Sequence, residues 1–382
     1  MNNFIYHNPV KIVFGKGTIK ELSSLIPKGS KILMTYGGGS IKKNGVYEQV
    51  KEALKDFNLV EFGGIEPNPR YETLMKAVDI CKNSKIDFLL SVGGGSVLDG
   101  TKFIAVASLY EDGDPWDILS KGVEPKKAIP LGSVLTLPAT GSEMNMFAVI
   151  SRESTKEKLA FGHPLVYPRF SILDPETTFT LSEWQTANGI VDTFVHVTEQ
   201  YMTYPVNAVV QDKFAESLLK ILIEEGPKAL KNPTDYNVRA NLMWTATQAL
   251  NGNIGCGVPQ DWATHSIGHE LTAFYGLDHA RTLAIVLPGV WKHQKKNKEE
   301  KLKQYAKNVW NYEGSDAADK AIELTEQFFR SLGMKTKLKE NGIGTEKFDE
   351  IAQRFEERNQ KLGEHENIGK KEVIEILQLC LE

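Results

Sequence analysis

Phe88-Leu-Leu-Ser-Val-Gly-Gly-Gly-Ser-Val-Leu-Asp-Gly-Thr-Lys102 is the stretch that decides the fold. It opens on a short apolar run, Phe88–Val92, of strand length and bounded by glycine. Gly93-Gly94-Gly95-Ser96 then turns the chain into a helix. The same grammar recurs upstream. Val10–Phe14 reads as a strand ending in Gly15-Lys16-Gly17, and Lys31–Tyr36 as one running into Gly37-Gly38-Gly39-Ser40. Leu59–Phe62 leads to the loop Gly63–Pro69 and a helix over Tyr71–Asn83; Ile129–Leu137 is a further strand. Strand, glycine loop and helix in repetition predict βαβ units and a largely parallel sheet.

Beyond Asp174-Pro175 the texture changes to amphipathic helices, roughly Asn207–Glu225, Asp235–Asn251, Pro259–Phe274 and Asp278–His293. Pro175, Pro205, Pro227, Pro259 and Pro288 read as helix boundaries. A chain of 382 residues fits two domains. The expected architecture is α/β plus all-α: a dinucleotide-binding α/β domain over 1–175 and an all-helical domain over 176–382.

A net charge of −4 argues against nucleic acid or an acidic membrane surface as partner. The lysine-rich run Lys292–Lys301 is interrupted by Glu299 and Glu300 and reads as a solvated helix end. Cys81, Cys256 and Cys380 form no CxxC, which suits a reducing compartment. The N-terminus lacks the pattern of a signal peptide, and no apolar stretch approaches the roughly 20 residues that span a bilayer. The expectation is a cytoplasmic protein without a membrane partner.

Backbone amides at the helix start behind Gly93-Gly94-Gly95-Ser96 can receive a pyrophosphate, and glycine lets that ligand approach the main chain. The motif is not G-x-G-x-x-G, so a standard Rossmann dehydrogenase is disfavoured. Gly37-Gly38-Gly39-Ser40 ends an earlier strand where an acid would bind the 2′-hydroxyl of NAD. No acid stands there. Exposed amides, the Ser40 hydroxyl and the cations Lys42 and Lys43 suit a 2′-phosphate instead, which favours NADP(H).

Asp192 and His196 are four residues apart on one helix face, as are His265 and His269, and His279 follows one loop later. One carboxylate with several imidazoles suits a divalent first-row metal such as Fe²⁺ or Zn²⁺ with a position open for substrate. Spacing leaves open which four of these five groups are ligands. His-Ser-Ile-Gly-His-Glu270 is not HExxH, so a zincin protease is disfavoured. His7, His163, His293 and His365 stay unassigned.

Taken together, Gly93–Lys102 resembles the GGGSxxDxxK segment of iron-containing alcohol dehydrogenases, and Thr136-Leu-Pro-Ala-Thr-Gly-Ser-Glu143 resembles their TGSE loop. Tyr36–Lys43 and Pro259–His269 carry the flavour of the NADPH-dependent butanol dehydrogenase and aldehyde reductase branch. The resemblance implies a dehydroquinate synthase-like fold with the cofactor between the domains. It implies Asp192, His196, His265 and His279 as ligands of Fe²⁺ or Zn²⁺. It implies Gly94, Gly95, Ser96 and Asp99 along the pyrophosphate and nicotinamide, with Thr136, Thr140, Ser142 and Lys158 at phosphates and ribose. Gly37, Gly38, Gly39, Ser40 and Lys43 would surround the 2′-phosphate. His269 falls near the nicotinamide as a candidate proton relay, and Asp99 stands with it among the catalytic candidates. The implied reaction is hydride transfer between NADP(H) and small aliphatic aldehydes or primary alcohols, in a homodimer. An NAD-linked polyol dehydrogenase of glycerol type is the competing reading. Met144, Asn145, Phe161, Trp262, Phe274 and Leu277 are expected pocket lining.

Overall fold

The computed structural model describes every residue from Met1 to Glu382. Packing divides the chain into a sheet unit, His7–Ser182 with Asn232–Thr247, and a helical unit, Met1–Tyr6, Glu183–Lys231 and Gln248–Glu382. No helix is long and apolar enough to cross a membrane, and all three cysteines are free and buried.

Six strands make the main sheet: β1 (Lys11–Phe14), β2 (Lys31–Tyr36), β3 (Asn58–Phe62), β4 (Phe88–Gly94), β5 (Leu131–Leu137) and β8 (Phe170–Leu173). Their spatial order is β1-β8-β5-β4-β2-β3, and every neighbouring pair is parallel. A separate antiparallel hairpin joins β6 (Phe147–Arg152) to β7 (Glu157–Gly162). Four short or medium helices connect the early strands: α1 (Leu22–Leu25), α2 (Val46–Ala53), α3 (Tyr71–Ser84) and α4 (Gly95–Ala107). A fifth, α5 (Asp117–Ser120), precedes β5.

The sheet carries a core on each face, because successive strand side chains point to opposite sides. Leu33, Leu89 and Leu131 pack with Leu74, Val78 and Phe103 from α3 and α4. Ile32, Met34, Leu90 and Val134 pack on the other face with Val46 and Val50 of α2. Burying each such side chain contributes roughly 1.5–3 kcal/mol. Burial on both faces is what makes the central strands nearly continuous in apolar residues.

The parallel arrangement has a direct consequence for ligand binding. Strands β2, β4 and β5 are neighbours and run the same way. Their C-terminal ends therefore line one edge of the sheet, where open α/β sheets bind ligands. That edge carries the Gly37–Ser40 and Pro138–Ser142 loops and the direct passage from β4 into α4 at Gly94–Gly95, where the sequence suggests a separate turn.

The helical unit contains α6 (Glu183–Tyr201), α7 (Val209–Lys231), α9 (Ala263–Tyr275), α10 (His279–His293), α11 (Lys295–Trp310), α12 (Ala317–Ser331), α13 (Phe348–Glu357) and α14 (Lys370–Leu379); α8 (Tyr236–Ala249) packs with the sheet unit. Aromatic contacts knit its interior. Phe194 lies 5.5 Å from Phe328 and 5.3 Å from Phe329, and Tyr305 lies 5.7 Å from Trp291, ring centre to ring centre.

Three expectations need correction here. Pro227 and Pro288 do not bound helices; they lie inside α7 and α10. An interior proline costs about 3 kcal/mol, and the almost wholly buried α10 shows that tertiary packing outweighs it. The lysine-rich run is only partly solvated. Lys298 and Lys301, one turn apart on the inner face of α11, are 1% and 4% exposed and are paired with acids. Phe161, expected as pocket lining, packs into the sheet-unit core, its ring 6.5 Å from that of Phe103.

Candidate metal and cofactor sites

Two sets of candidate groups emerge, one in each unit. In the helical unit, α6 places Asp192 and His196 on one face, α9 supplies His265, and α10 starts at His279. Asp192 Oδ1 lies 3.7 Å from His196 Nδ1, 3.9 Å from His265 Nε2 and 3.7 Å from His279 Nε2. Donor atoms of Asp192, His265 and His279 all fall within 4.8 Å of one another. His196 adjoins the cluster, its ring stacked 4.6 Å from that of His265, but is not among the three mutually closest donors. His269 stands to one side, 5.0 Å from the His279 ring and 6.2 Å from that of His265.

A divalent cation fits this arrangement on two grounds. Asp192 is 4% exposed, and its buried Oδ1 takes no hydrogen bond. A bare carboxylate oxygen in such a place is costly unless a cation compensates it. The spacing is also right: two donors each about 2.1 Å from one tetrahedral ion lie about 3.4 Å apart, a little under the separations seen. Trp262 roofs the cluster, its ring 5.3 Å from His265 and 6.3 Å from His196.

His279 reaches the cluster because the chain before it is pinned. Asp278 Oδ2 accepts from Trp184 Nε1 and from Asn188 Nδ2, at 2.5 and 2.9 Å. Both donors sit on α6, the helix that carries Asp192. Other histidines have ordinary roles: His163 meets Glu124, His293 meets Glu375 and His365 lies against Tyr204.

Spacing in the sequence overlooked Glu199. It lies seven residues after Asp192 and three after His196, so it continues the same helical stripe. It is buried and hydrogen-bonds His265 Nδ1. The i, i+4, i+7 pattern was the available signal.

In the sheet unit, the glycine loops are shaped by close approach. A Cβ on Gly95 would meet Thr140 Cγ2 and Oγ1 at 2.5 Å, so only glycine lets the start of α4 lie against the Pro138–Ser142 loop. Gly39 adopts a left-handed φ of 94° before a turn over Ser40–Lys42, which a Cβ disfavours. Lys42 Nζ lies 4.9 Å over the Tyr36 ring and 5.0 Å over that of Tyr47, while Lys43 is exposed. The nearest strand acid, Glu61, pairs in register with Met34 of β2 and is already engaged by Tyr47 Oη at 2.8 Å and Lys51 Nζ at 3.0 Å.

Asp99, in the second turn of α4, works inside the unit. Its Oδ1 accepts from Ser142 Oγ at 2.7 Å and its Oδ2 from Val149 N at 2.9 Å, tying α4 to the Ser142 loop and the hairpin. Thr140 Oγ1 accepts from Ser142 N at 3.1 Å, Thr136 is buried at the end of β5, and Lys158 Nζ donates to Asn68 Oδ1 at 2.9 Å. Lys102 donates to Asn145 O, Asn145 Oδ1 and Phe147 O at 3.0, 3.1 and 2.8 Å. Burial pulls this ammonium down to about 8, against the opposing pull of Asp99 and Glu143. Burial likewise raises the Asp99 and Glu143 carboxyls, with Lys102 holding them back. Glu143 Oε1 accepts from Thr247 Oγ1 at 2.6 Å, which fastens α8 to the sheet unit.

Known proteins resemble this chain along nearly its whole length. The chain is 58% identical to the NADPH-dependent aldehyde reductase YqhD of Escherichia coli, over 96% of this chain and 97% of that one. The crystal structure of YqhD superimposes with a TM-score of 0.98 at 56% identity, covering 99% of each chain. Similarity extends to the NADP-dependent alcohol dehydrogenase 3 of Entamoeba histolytica, 47% identical over 99% of this chain and 98% of that one. It extends also to the probable NADH-dependent butanol dehydrogenase 1 of Bacillus subtilis, 44% identical over the full length of both. Residues 9–175 match the family model of iron-containing alcohol dehydrogenase and residues 186–381 match that of the C-terminal part of the same family, so the chain belongs to the iron-containing alcohol dehydrogenases.

Proposed function

We propose that this protein is an NADPH-linked, metal-dependent alcohol dehydrogenase and aldehyde reductase that acts on small aliphatic aldehydes and primary alcohols. The observation that carries the proposal is the meeting of Asp192, His265 and His279 donors within 4.8 Å on three helices of a chain in this family. Asp192, His196, His265 and His279 would hold the cation. When bound, the cation supplies Lewis acidity at the substrate oxygen and the nicotinamide supplies the hydride.

The chain's own residues do the remaining work. Gly94, Gly95 and Ser96 would present main-chain amides to the pyrophosphate at the start of α4. Thr136, Thr140, Ser142 and Lys158 would line the phosphates and ribose, with Asp99 orienting Ser142 through its hydrogen bond. His269 would pass a proton between solvent and the alkoxide oxygen, since an imidazole near neutrality suits a relay.

Relatives differ in the nicotinamide their names carry, so the preference here is argued from this chain. Gly37, Gly38, Gly39 and Ser40 present no acid, Lys42 and Lys43 flank them, and Glu61 is already bound by Tyr47 and Lys51. An uncompensated 2′-phosphate repeller is therefore missing from this corner, which favours NADPH. We further propose a homodimer. Strand β1 is a sheet edge with unpaired backbone on one side.

The test measures reduction of a C2–C6 aldehyde series by the metal-loaded protein with NADPH and with NADH, and sedimentation for the assembly. Expected is chelator-sensitive turnover at a kcat/KM at least about tenfold higher with NADPH, a difference of about 1.4 kcal/mol. Equal rates with both nucleotides, or turnover unaffected by metal removal, would refute the corresponding part of the proposal.

A further inference from the structure

The structure assigns Glu199 a role of its own: it is the positioning residue that sets the tautomer and orientation of His265 for metal binding. The inference rests on the reading of Asp192, His196, His265 and His279 as a metal site. Its geometry is specific. Glu199 Oε1 accepts the backbone N–H groups of Thr264 at 2.7 Å and His265 at 3.3 Å, while Oε2 hydrogen-bonds the His265 ring at Nδ1. One carboxylate thus grips His265 by its main chain and by its ring. The other ring nitrogen, Nε2, faces Asp192 Oδ1 at 3.9 Å.

Hydrogen-bond accounting then assigns the proton. Glu199 Oε1 already accepts two backbone N–H groups, and an ionised carboxylate offers only acceptors, so opposite Glu199 Oε2 the donor is Nδ1. A neutral imidazole protonated at Nδ1 keeps its lone pair on Nε2, the atom turned toward Asp192. This is the carboxylate–histidine–metal relay by which outer groups orient a ligand and raise its basicity.

Glu199 is itself held from behind. Its backbone carbonyl accepts from Asp261 N at 2.8 Å. Asp261 Oδ1 accepts from Ala263 N at 2.9 Å and its Oδ2 meets Lys298 Nζ at 2.9 Å. Lys298, 1% exposed, also reaches Met202 O at 2.7 Å and both carboxylate oxygens of Glu364 at 2.7 and 2.8 Å. The turn from Asp261 into α9 is therefore anchored to α11, and the carboxylate has no slack with which to release the ring.

The decisive substitution is Glu199→Gln. A glutamine has one oxygen. If that oxygen keeps the Thr264 and His265 amides, its NH₂ faces Nδ1 and drives the ring proton to Nε2, the ligating atom. Affinity of the full-length apo protein for Zn²⁺, measured by competition with a chromophoric chelator, should fall about 10- to 100-fold. The NADPH dissociation constant should stay within about twofold, because the dinucleotide contacts are elsewhere. A second measurement needs no Glu199 variant. In Zn²⁺-loaded wild-type protein labelled with ¹⁵N-histidine, His265, assigned by its loss in His265→Asn, should show a protonated Nδ1 and a metal-bound Nε2. Unchanged Zn²⁺ affinity in Glu199→Gln, or metal on Nδ1 of His265, overturns the role of Glu199 and leaves the site standing. Failure of wild-type protein to bind Zn²⁺ at all overturns both.

Discussion

In the helical unit the candidate ligands are charged or titratable side chains, brought from three helices into a small buried volume. In the sheet unit the candidate contacts are mainly backbone, at glycines near the ends of three adjacent parallel strands. The two strategies answer different ligands. A small cation needs fixed lone pairs at about 2 Å, which side chains on rigid helices can supply. A phosphate-bearing dinucleotide needs many N–H groups over a long reach, which glycine loops and a helix start can supply. The units should therefore fail independently, and substitutions can be chosen to damage one function while sparing the other.

The largest separation is expected from Asp192→Ala. Asp192 is the common neighbour of His196, His265 and His279, and its loss removes the carboxylate that faces all three imidazoles. Metal content by elemental analysis should drop below one tenth of wild type, and aldehyde reduction should fall at least about a thousandfold, or about 4 kcal/mol of barrier. NADPH binding by fluorescence titration should barely change. If nucleotide affinity falls in step with metal content, the two regions are not separable.

Gly95→Ala reverses the experiment. The added methyl meets Thr140 at 2.5 Å, and such overpacking costs about 1–3 kcal/mol. NADPH affinity should weaken about 10- to 100-fold while metal content stays at wild-type level. Retained nucleotide affinity would mean that the start of α4 is not where the pyrophosphate sits.

The same contrast explains what could be read without coordinates. Asp192 with His196 and His265 with His269 were visible because helical periodicity puts residues four apart on one face. Gly93–Gly95 and Gly37–Gly39 were visible because glycine has few reasons to cluster except close approach or turning. Glu199 escaped notice because a lone glutamate on a helix is usually solvated, and its burial depends on α9 packing across it. Lys298 and Lys301 misled for the mirror reason: their partners Asp261, Glu364 and Asp212 are distant in sequence. Pro227 and Pro288 followed a local rule that packing overrides. The hairpin β6–β7 and the membership of α8 in the sheet unit depend on long-range contacts such as Thr247 with Glu143, which no window of sequence contains.

Lys102 sharpens the comparison, since it is a buried charge in the unit otherwise built from backbone. Burial depresses its pKa from the ordinary lysine value of about 10.5 to about 8. Between those values the unfolded chain still binds the proton and the folded chain has released it. Stability contributed by this group therefore rises with pH from about 8 to 10.5. Relative to Lys102→Met, wild-type protein should gain about 1–3 kcal/mol over that window, read from urea midpoints at each pH. At pH 7 the variant should be the less stable, because three acceptors, Asn145 O, Asn145 Oδ1 and Phe147 O, lose their donor. A stability difference that does not move with pH would show that Lys102 stays charged throughout.

The smallest effect belongs to the most exposed cation. Lys43 has no buried partner to lose, so Lys43→Ala should leave folding and metal content unchanged. As proposed, its contact with a 2′-phosphate would be solvent-screened and charge-assisted, and NADPH affinity should fall about three- to tenfold. NADH affinity should not change, since NADH lacks that phosphate. The loss should shrink as salt is raised from 0.02 to about 0.5 M, where the screening length falls to a few ångströms. Lys42 is the internal control. Its ammonium is seated over Tyr36 and Tyr47, so Lys42→Ala removes packing together with charge and should weaken NADPH binding in a way that salt abolishes only in part. If Lys43→Ala weakens NADH and NADPH equally, the cation serves the loop's fold rather than the phosphate, and NADPH preference must come from the amides of Gly38, Gly39 and Ser40 alone.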